Sequence, residues 1–208
     1  MKEKEIRDEL ASIRSLMERS SKFISLSGLS GILAGIYALI GAAAAYVVIQ
    51  NNPMSGRIPL FELISNFVNV ILILFAIAFI VLIASILTAL VLSSRIAKKK
   101  GQPIWGKTSK VLLFNTSIPL VTGGIFIIIL LYQGYDAFII PAMLLFYGLS
   151  LVSASNFTFS DVKYLGLFEI LLGLAAACVP GLGLLFWALG FGVLHIIYGS
   201  IMYFKYDK

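Results

Sequence analysis

Six apolar runs divide the chain, at roughly 23–48, 67–93, 111–132, 137–155, 164–179 and 182–204, and Glu169 is the one charge inside them. Most approach the ~20 residues that a helix needs to cross ~30 Å of hydrocarbon. The pattern predicts six transmembrane helices. Ahead of them, Ile6, Leu10, Ile13 and Met17 step by helical spacing while Glu3, Lys4, Arg7, Asp8, Arg14 and Glu18 occupy the rest of the wheel, which predicts an amphipathic helix over 3–20. Turn-rich stretches separate the runs: "QNNPMSGRIP" after the first, "QGYDAF" between the third and fourth, "VPGLG" between the fifth and sixth. Short turns make antiparallel neighbours of the helices they join, so three helical hairpins are expected. The expected fold is all-α and polytopic. It divides into a cytoplasmic amphipathic helix at 1–22 and one six-helix transmembrane domain at 23–208.

Composition agrees with that division, since 60% of residues are hydrophobic and 12% charged, a balance foreign to water-soluble domains. Residues 1–22 are too long and too acidic for the n-region of a secretory signal, so the first helix is expected to be retained. Charge adds orientation. Of the sixteen Lys and Arg residues, fifteen fall before the first run, in the loop "SRIAKKKGQPIWGKTSK", at Lys163 or at the chain end, and Arg57 alone falls on the other side. This positive-inside bias places both termini in the cytoplasm and the basic loop against anionic lipid headgroups. Nucleic acid is not an expected partner, because Trp105 is the lone base-stacking side chain in that loop.

Glycines mark the packing faces. Gly28, Gly31 and Gly35 share a side of the first helix, where small residues let a second backbone approach closely. Gly166 and Gly173 flank Glu169 at the same offsets at which Gly192 and Gly199 flank His195, the single histidine. With the hairpin turning near Gly181, the depths of Glu169 and His195 differ by only ~3 Å at 1.5 Å per residue. Two bare glycine surfaces pressed together would let the acid and the imidazole meet, as an interhelical clasp worth ~0.6 to 2 kcal/mol or as a proton-titrating site open to the cytoplasm. Asn115, Ser117 and Asn156 fall in the same half of the membrane and are candidate linings of such a cavity. Glu62, Asn66 and Asn69 form a second polar stripe at the outer end of helix two.

Other chemistry fits the inventory poorly. One histidine cannot supply a histidine-rich ligand set, and the lone Cys178 allows neither an internal disulfide nor a thiolate cluster, so no metal site, cofactor or catalytic residue is assigned. Gly28-Leu29-Ser30-Gly31 matches the GxSG of rhomboid intramembrane proteases, though on the first helix rather than the fourth, and it keeps an intramembrane serine hydrolase as the remotest alternative. The glycine-rich hairpins are similar to those of acid-resistance membrane proteins of the HdeD type. Over most of its length, and through "ERSSKFISLSGLSGILAGIYALIGA" and "GFGVLHIIYG", the chain resembles a group of small bacterial six-helix integral membrane proteins. That resemblance implies a bacterial inner-membrane location and carries no activity.

Two functional readings follow. The first is a non-enzymatic regulatory or scaffold protein that docks a partner, or a second copy of itself, through residues 6–17 and the basic loop. The alternative is a small transporter or channel built on Glu169 and His195.

Overall fold

The computed structural model describes residues 26–52, 60–99, 101 and 105–207, with the side chains of 60–67 left aside. The amphipathic segment with its apolar positions 6–17, the turn at 53–59 and the side chains of Glu62 and Asn66 lie outside the described residues; Asn69 is exposed. Among the described residues there are helices and no strands. They run α1 Gly28–Asn51, α2 Leu60–Lys99, α3 Lys107–Tyr132, α4 Ile139–Ala154, α5 Val162–Cys178 and α6 Gly183–Asp207. Five of these regions, α4 taken together with the 3-10 turn Asp136–Phe138 before it, are long and apolar enough to cross a membrane. The remaining one, α5, has 17 residues, the lower end of the spanning range of roughly 17 to 25.

Local chemistry accounts for the boundaries. α2 extends well beyond its apolar run, to 40 residues, because no Gly or Pro interrupts it and Lys98 and Lys99 suit the negative end of its dipole. Gly134 (φ +74°) and Gly181 (φ +99°) supply the left-handed turns after α3 and α5. α1 starts without a side-chain cap of its own. Its Gly28 amide donates to Asp207 Oδ2 at 2.8 Å, and the Ser27 hydroxyl donates to the same oxygen at 3.2 Å, so the end of α6 neutralises the start of α1. Pro119 lies inside α3, has no N–H, and therefore frees the carbonyl of Asn115. Ser153 of α4 donates to that carbonyl at 3.2 Å, and Ser150 donates to the next one, Thr116, at 3.0 Å. The proline that sequence alone would read as a weak point is thus satisfied by the neighbouring helix.

The helices group into two units of three: α1 packs against α2 and α6, and α4 packs against α3 and α5. Glycines set both groupings, with partners other than those the sequence predicts. A Cβ on Gly166 would lie 2.7 Å from the Gly148 carbonyl oxygen, and one on Gly173 would lie 3.0 Å from Leu145 N, so these glycines press α5 onto α4. A Cβ on Gly199 would lie 2.5 Å from Ile32 N, and one on Gly35 would lie 2.6 Å from the Gly192 carbonyl oxygen, so Gly192 and Gly199 press α6 onto α1. Gly28 and Gly31 belong to that same face. The expected glycine-to-glycine surface between α5 and α6 is therefore corrected: each helix spends its bare face within its own unit.

Between the units runs a seam with three layers. At the end near the α5–α6 turn, Trp187 packs with Ala38 and Ala42 and meets Ile140 and Met143 of α4. At the opposite end, Phe159, Val162 and Met202 pack with Leu151, Tyr198 and Tyr206. The middle layer is polar. Outside, α2 and α3 leave large side chains such as Phe79, Ile80, Phe114 and Ile128 uncovered, a surface matched to acyl chains rather than to water.

Gly148→Ala is expected to lower stability in detergent by ~1–3 kcal/mol, since its new methyl meets backbone. Gly124→Ala, with open space at its Cβ, is expected to be neutral or stabilising by up to ~1 kcal/mol. Thermal unfolding of the two variants distinguishes them, and equal losses would contradict the assigned packing.

Candidate intramembrane polar cluster

The pressure of Gly166 and Gly173 on α4 turns the face of α5 between them inward, and Glu169 on that face has no accessible surface. Across the seam, α6 widens into a π-helical segment, Ala188–Leu194, and returns to α-helix at His195. Such wide turns are rare and concentrate at functional sites. Gly190 lies within this one, and a Cβ there would sit 2.6 Å from Glu169 Oε2 and from Leu144 Cδ2. Gly190, rather than the glycines flanking His195, is what lets Glu169 approach α6.

Glu169 and His195 do come together, with His195 Nδ1 3.5 Å from Glu169 Oε1. The ring is held on both sides. Nδ1 lies 3.0 Å from the Gly190 carbonyl oxygen, and Nε2 lies 2.7 Å from the Tyr147 hydroxyl of α4. A carbonyl only accepts, so Nδ1 carries a proton. A neutral imidazole then accepts from Tyr147 O–H through Nε2, whereas an imidazolium donates Nε2–H to the Tyr147 oxygen. Phe191 lies 5.1 Å from the Tyr147 ring and 6.1 Å from the imidazole, centroid to centroid, so the polar atoms are walled by aromatic faces. Neither Glu169 oxygen receives a hydrogen bond from the described residues. Burying a carboxyl group without donors costs on the order of several kcal/mol, and among the described residues the facing imidazole is its compensating partner. Two arrangements of the pair carry no net charge: carboxylic acid with imidazole, and carboxylate with imidazolium.

The remaining candidates lie apart from this cluster. Asn115 Nδ2 donates to Val111 O, Ser117 Oγ to Phe114 O and Asn156 Nδ2 to Ser153 O, each within its own helix or turn. They line no cavity around Glu169. A groove of about 350 Å³, bounded by Phe126, Leu130, Phe138, Leu145 and Phe146, exposes apolar surface and is lined by no residue of the cluster. Ser30 donates its hydroxyl to Ser27 O at 2.6 Å, and both nitrogens of His195 are engaged elsewhere, so the structure forms no serine–histidine pair. No group of three or more His, Cys, Asp or Glu gathers among the described residues. Sequence reasoning missed Tyr147 and Gly190. The signal for Tyr147 was a phenol in the middle of an apolar helix, away from the interface where tyrosines usually concentrate.

At the end of the seam near the α4–α5 turn, Asp161 Oδ2 accepts from Lys205 Nζ at 2.7 Å and from Tyr206 O–H at 2.9 Å. The Lys205 ammonium holds the Asp161 carboxyl below the usual carboxylate range, assisted by Tyr206 and opposed by partial burial. The resulting stabilisation is present above the ordinary aspartate value of ~3.9 and is lost as pH falls through the lower folded value. It is modest, because the pair is largely in water.

An acid titration of thermal stability is expected to show a small loss below about pH 4 that Asp161→Asn removes; an unchanged acid limb in the variant would contradict the assignment. Nitrogen NMR of the single histidine is expected to show a protonated Nδ1, and a ring protonated at Nε2 alone would contradict the hydrogen bond to Gly190. Compared with protein-family models, curated proteins and solved structures, the chain matches none.

Proposed function

We propose that this chain is an integral membrane protein, a small proton-coupled transporter, in which Glu169 and His195 take up and release the coupling proton. The observation that carries this reading is the buried, otherwise unpartnered Glu169 carboxyl, opposed across the seam by an ionisable ring. Intramembrane ionisable groups are expensive, and they recur where protons and ions are moved. A purely structural clasp would be expected to satisfy the carboxylate with donors from its own surroundings. Here the neighbouring hydroxyl, that of Tyr147, is directed to the imidazole instead.

The placement of the cluster supports coupling. Glu169 and Tyr147 belong to the unit of α3, α4 and α5, while His195 and Gly190 belong to the unit of α1, α2 and α6. Within each unit, backbone-to-backbone glycine contacts resist sliding, and between them the packing is sparser. A change in protonation therefore acts on the joint between two stiff bodies. Addition or removal of one proton leaves a net charge in a buried site, which favours opening of the seam. The bias of basic residues supports a reading in which the Asp161 end faces the cytoplasm.

Proteoliposomes with an internal pH dye and a potassium–valinomycin clamp test the proposal. Wild type is expected to show protein-dependent proton flux that Glu169→Gln and His195→Gln reduce at least tenfold. Flux equal in the three proteins, or absent from wild type, would overturn it.

A further inference from the structure

Glu169 is closed off in this conformation, so a proton needs a route to it. Tyr198 is three residues beyond His195 and shares its face of α6, one turn closer to Asp161. Its ring packs on the Phe159, Val162 and Met202 layer, beside Leu151 and Tyr206. Its hydroxyl is nonetheless buried and receives no hydrogen bond among the described residues. A phenol in an apolar layer normally directs its O–H to a partner. Tyr198 shares that layer with Tyr206, and one helical turn separates it from His195, whose Nε2 engages the Tyr147 hydroxyl. Tyr206 in turn donates to Asp161, which is bound to Lys205 at the surface. His195 to Tyr206 spans about 16 Å of helix; of the hydroxyls between them, Ser200 donates to Ile196 O and Tyr203 lies against Gly28 of α1, which leaves Tyr198 on the seam.

Building on the proton-coupled reading above, we infer that Tyr198 is a proton relay between the Asp161 end of the seam and the Tyr147–His195–Glu169 cluster. The step is a chain of hops that leaves each tyrosine neutral. A proton from bulk water enters at the Asp161 end on a water molecule beside Tyr206; that water delivers it to the Tyr198 oxygen as the original Tyr198 O–H bond breaks and passes its proton to a second, bridging water. The bridging water passes a proton to the Tyr147 oxygen as Tyr147 releases its own to Nε2 of His195. The imidazole, already protonated at Nδ1, becomes an imidazolium 3.5 Å from the Glu169 carboxylate. No oxidant or further reactant is involved. The groups facing this route are Tyr147 from α4, Glu169 from α5, Asp161 from the α4–α5 turn, and Lys205 and Tyr206 from α6 itself.

The test is a light-triggered pH jump on the full chain in vesicles, following proton uptake with a dye. The phase of interest is the one that Glu169→Gln abolishes. Tyr198→Phe keeps the ring that packs the apolar layer, and is expected to slow that phase at least tenfold while leaving its final amplitude unchanged. Tyr203→Phe, on the α1 side of α6, is the control and is expected to match wild type. Uptake by Tyr198→Phe at the wild-type rate, or equal slowing by both variants, would overturn the relay. Absence of any Glu169-dependent phase in wild type would instead overturn the proton-coupled function on which the relay rests.

Discussion

Hydrocarbon cannot solvate a carboxyl group, so Glu169, with no accessible surface, has to be met by protein, and what meets it at 3.5 Å is the imidazole of another helix. Much of the architecture serves that encounter. Gly166 and Gly173 bring α5 so close to α4 that the residue between them faces inward. Gly192 and Gly199 do the same for α6 against α1, placing His195 on the other side of the seam. Gly190 then removes the one Cβ that would collide with the carboxylate. Two tightly bound pairs of helices create a third, looser junction, and the ionisable groups lie in it.

The imidazole is more fully specified than the acid. Gly190 fixes one nitrogen as a donor, Tyr147 engages the other, and Phe191 covers the ring. Such a ring changes protonation without changing position, because Tyr147 serves as donor or acceptor with equal ease. The acid has no comparable set of bonds. This asymmetry is the feature on which the proposed proton exchange rests.

Much of this was legible in the chain. The apolar runs locate the helices, since any segment in lipid must satisfy its backbone internally. The meeting of Glu169 with His195 follows from depth, counted from the turn at Gly181. The glycine partners were not legible. A glycine announces close approach without saying to which helix, and Gly166 could face Gly148 or α6 with the same sequence around it. The π-helical turn before His195 was hidden as well, because two glycines in "LGFG" permit a wide turn but do not demand one. Tyr147 was obscured by the same ambiguity, as its role depends on α4 packing beside α6 as well as α5. Asn115 and Ser117 misled in the opposite direction: short polar side chains in a membrane helix often bond back to their own backbone, as these do.

The central claim is that Glu169 and His195 act on one another across the seam. A double-mutant cycle of Glu169→Gln and His195→Gln, read as unfolding free energy in detergent, measures that directly. The account predicts a coupling of about 0.6 to 2 kcal/mol. Additivity within about 0.3 to 0.5 kcal/mol would contradict it.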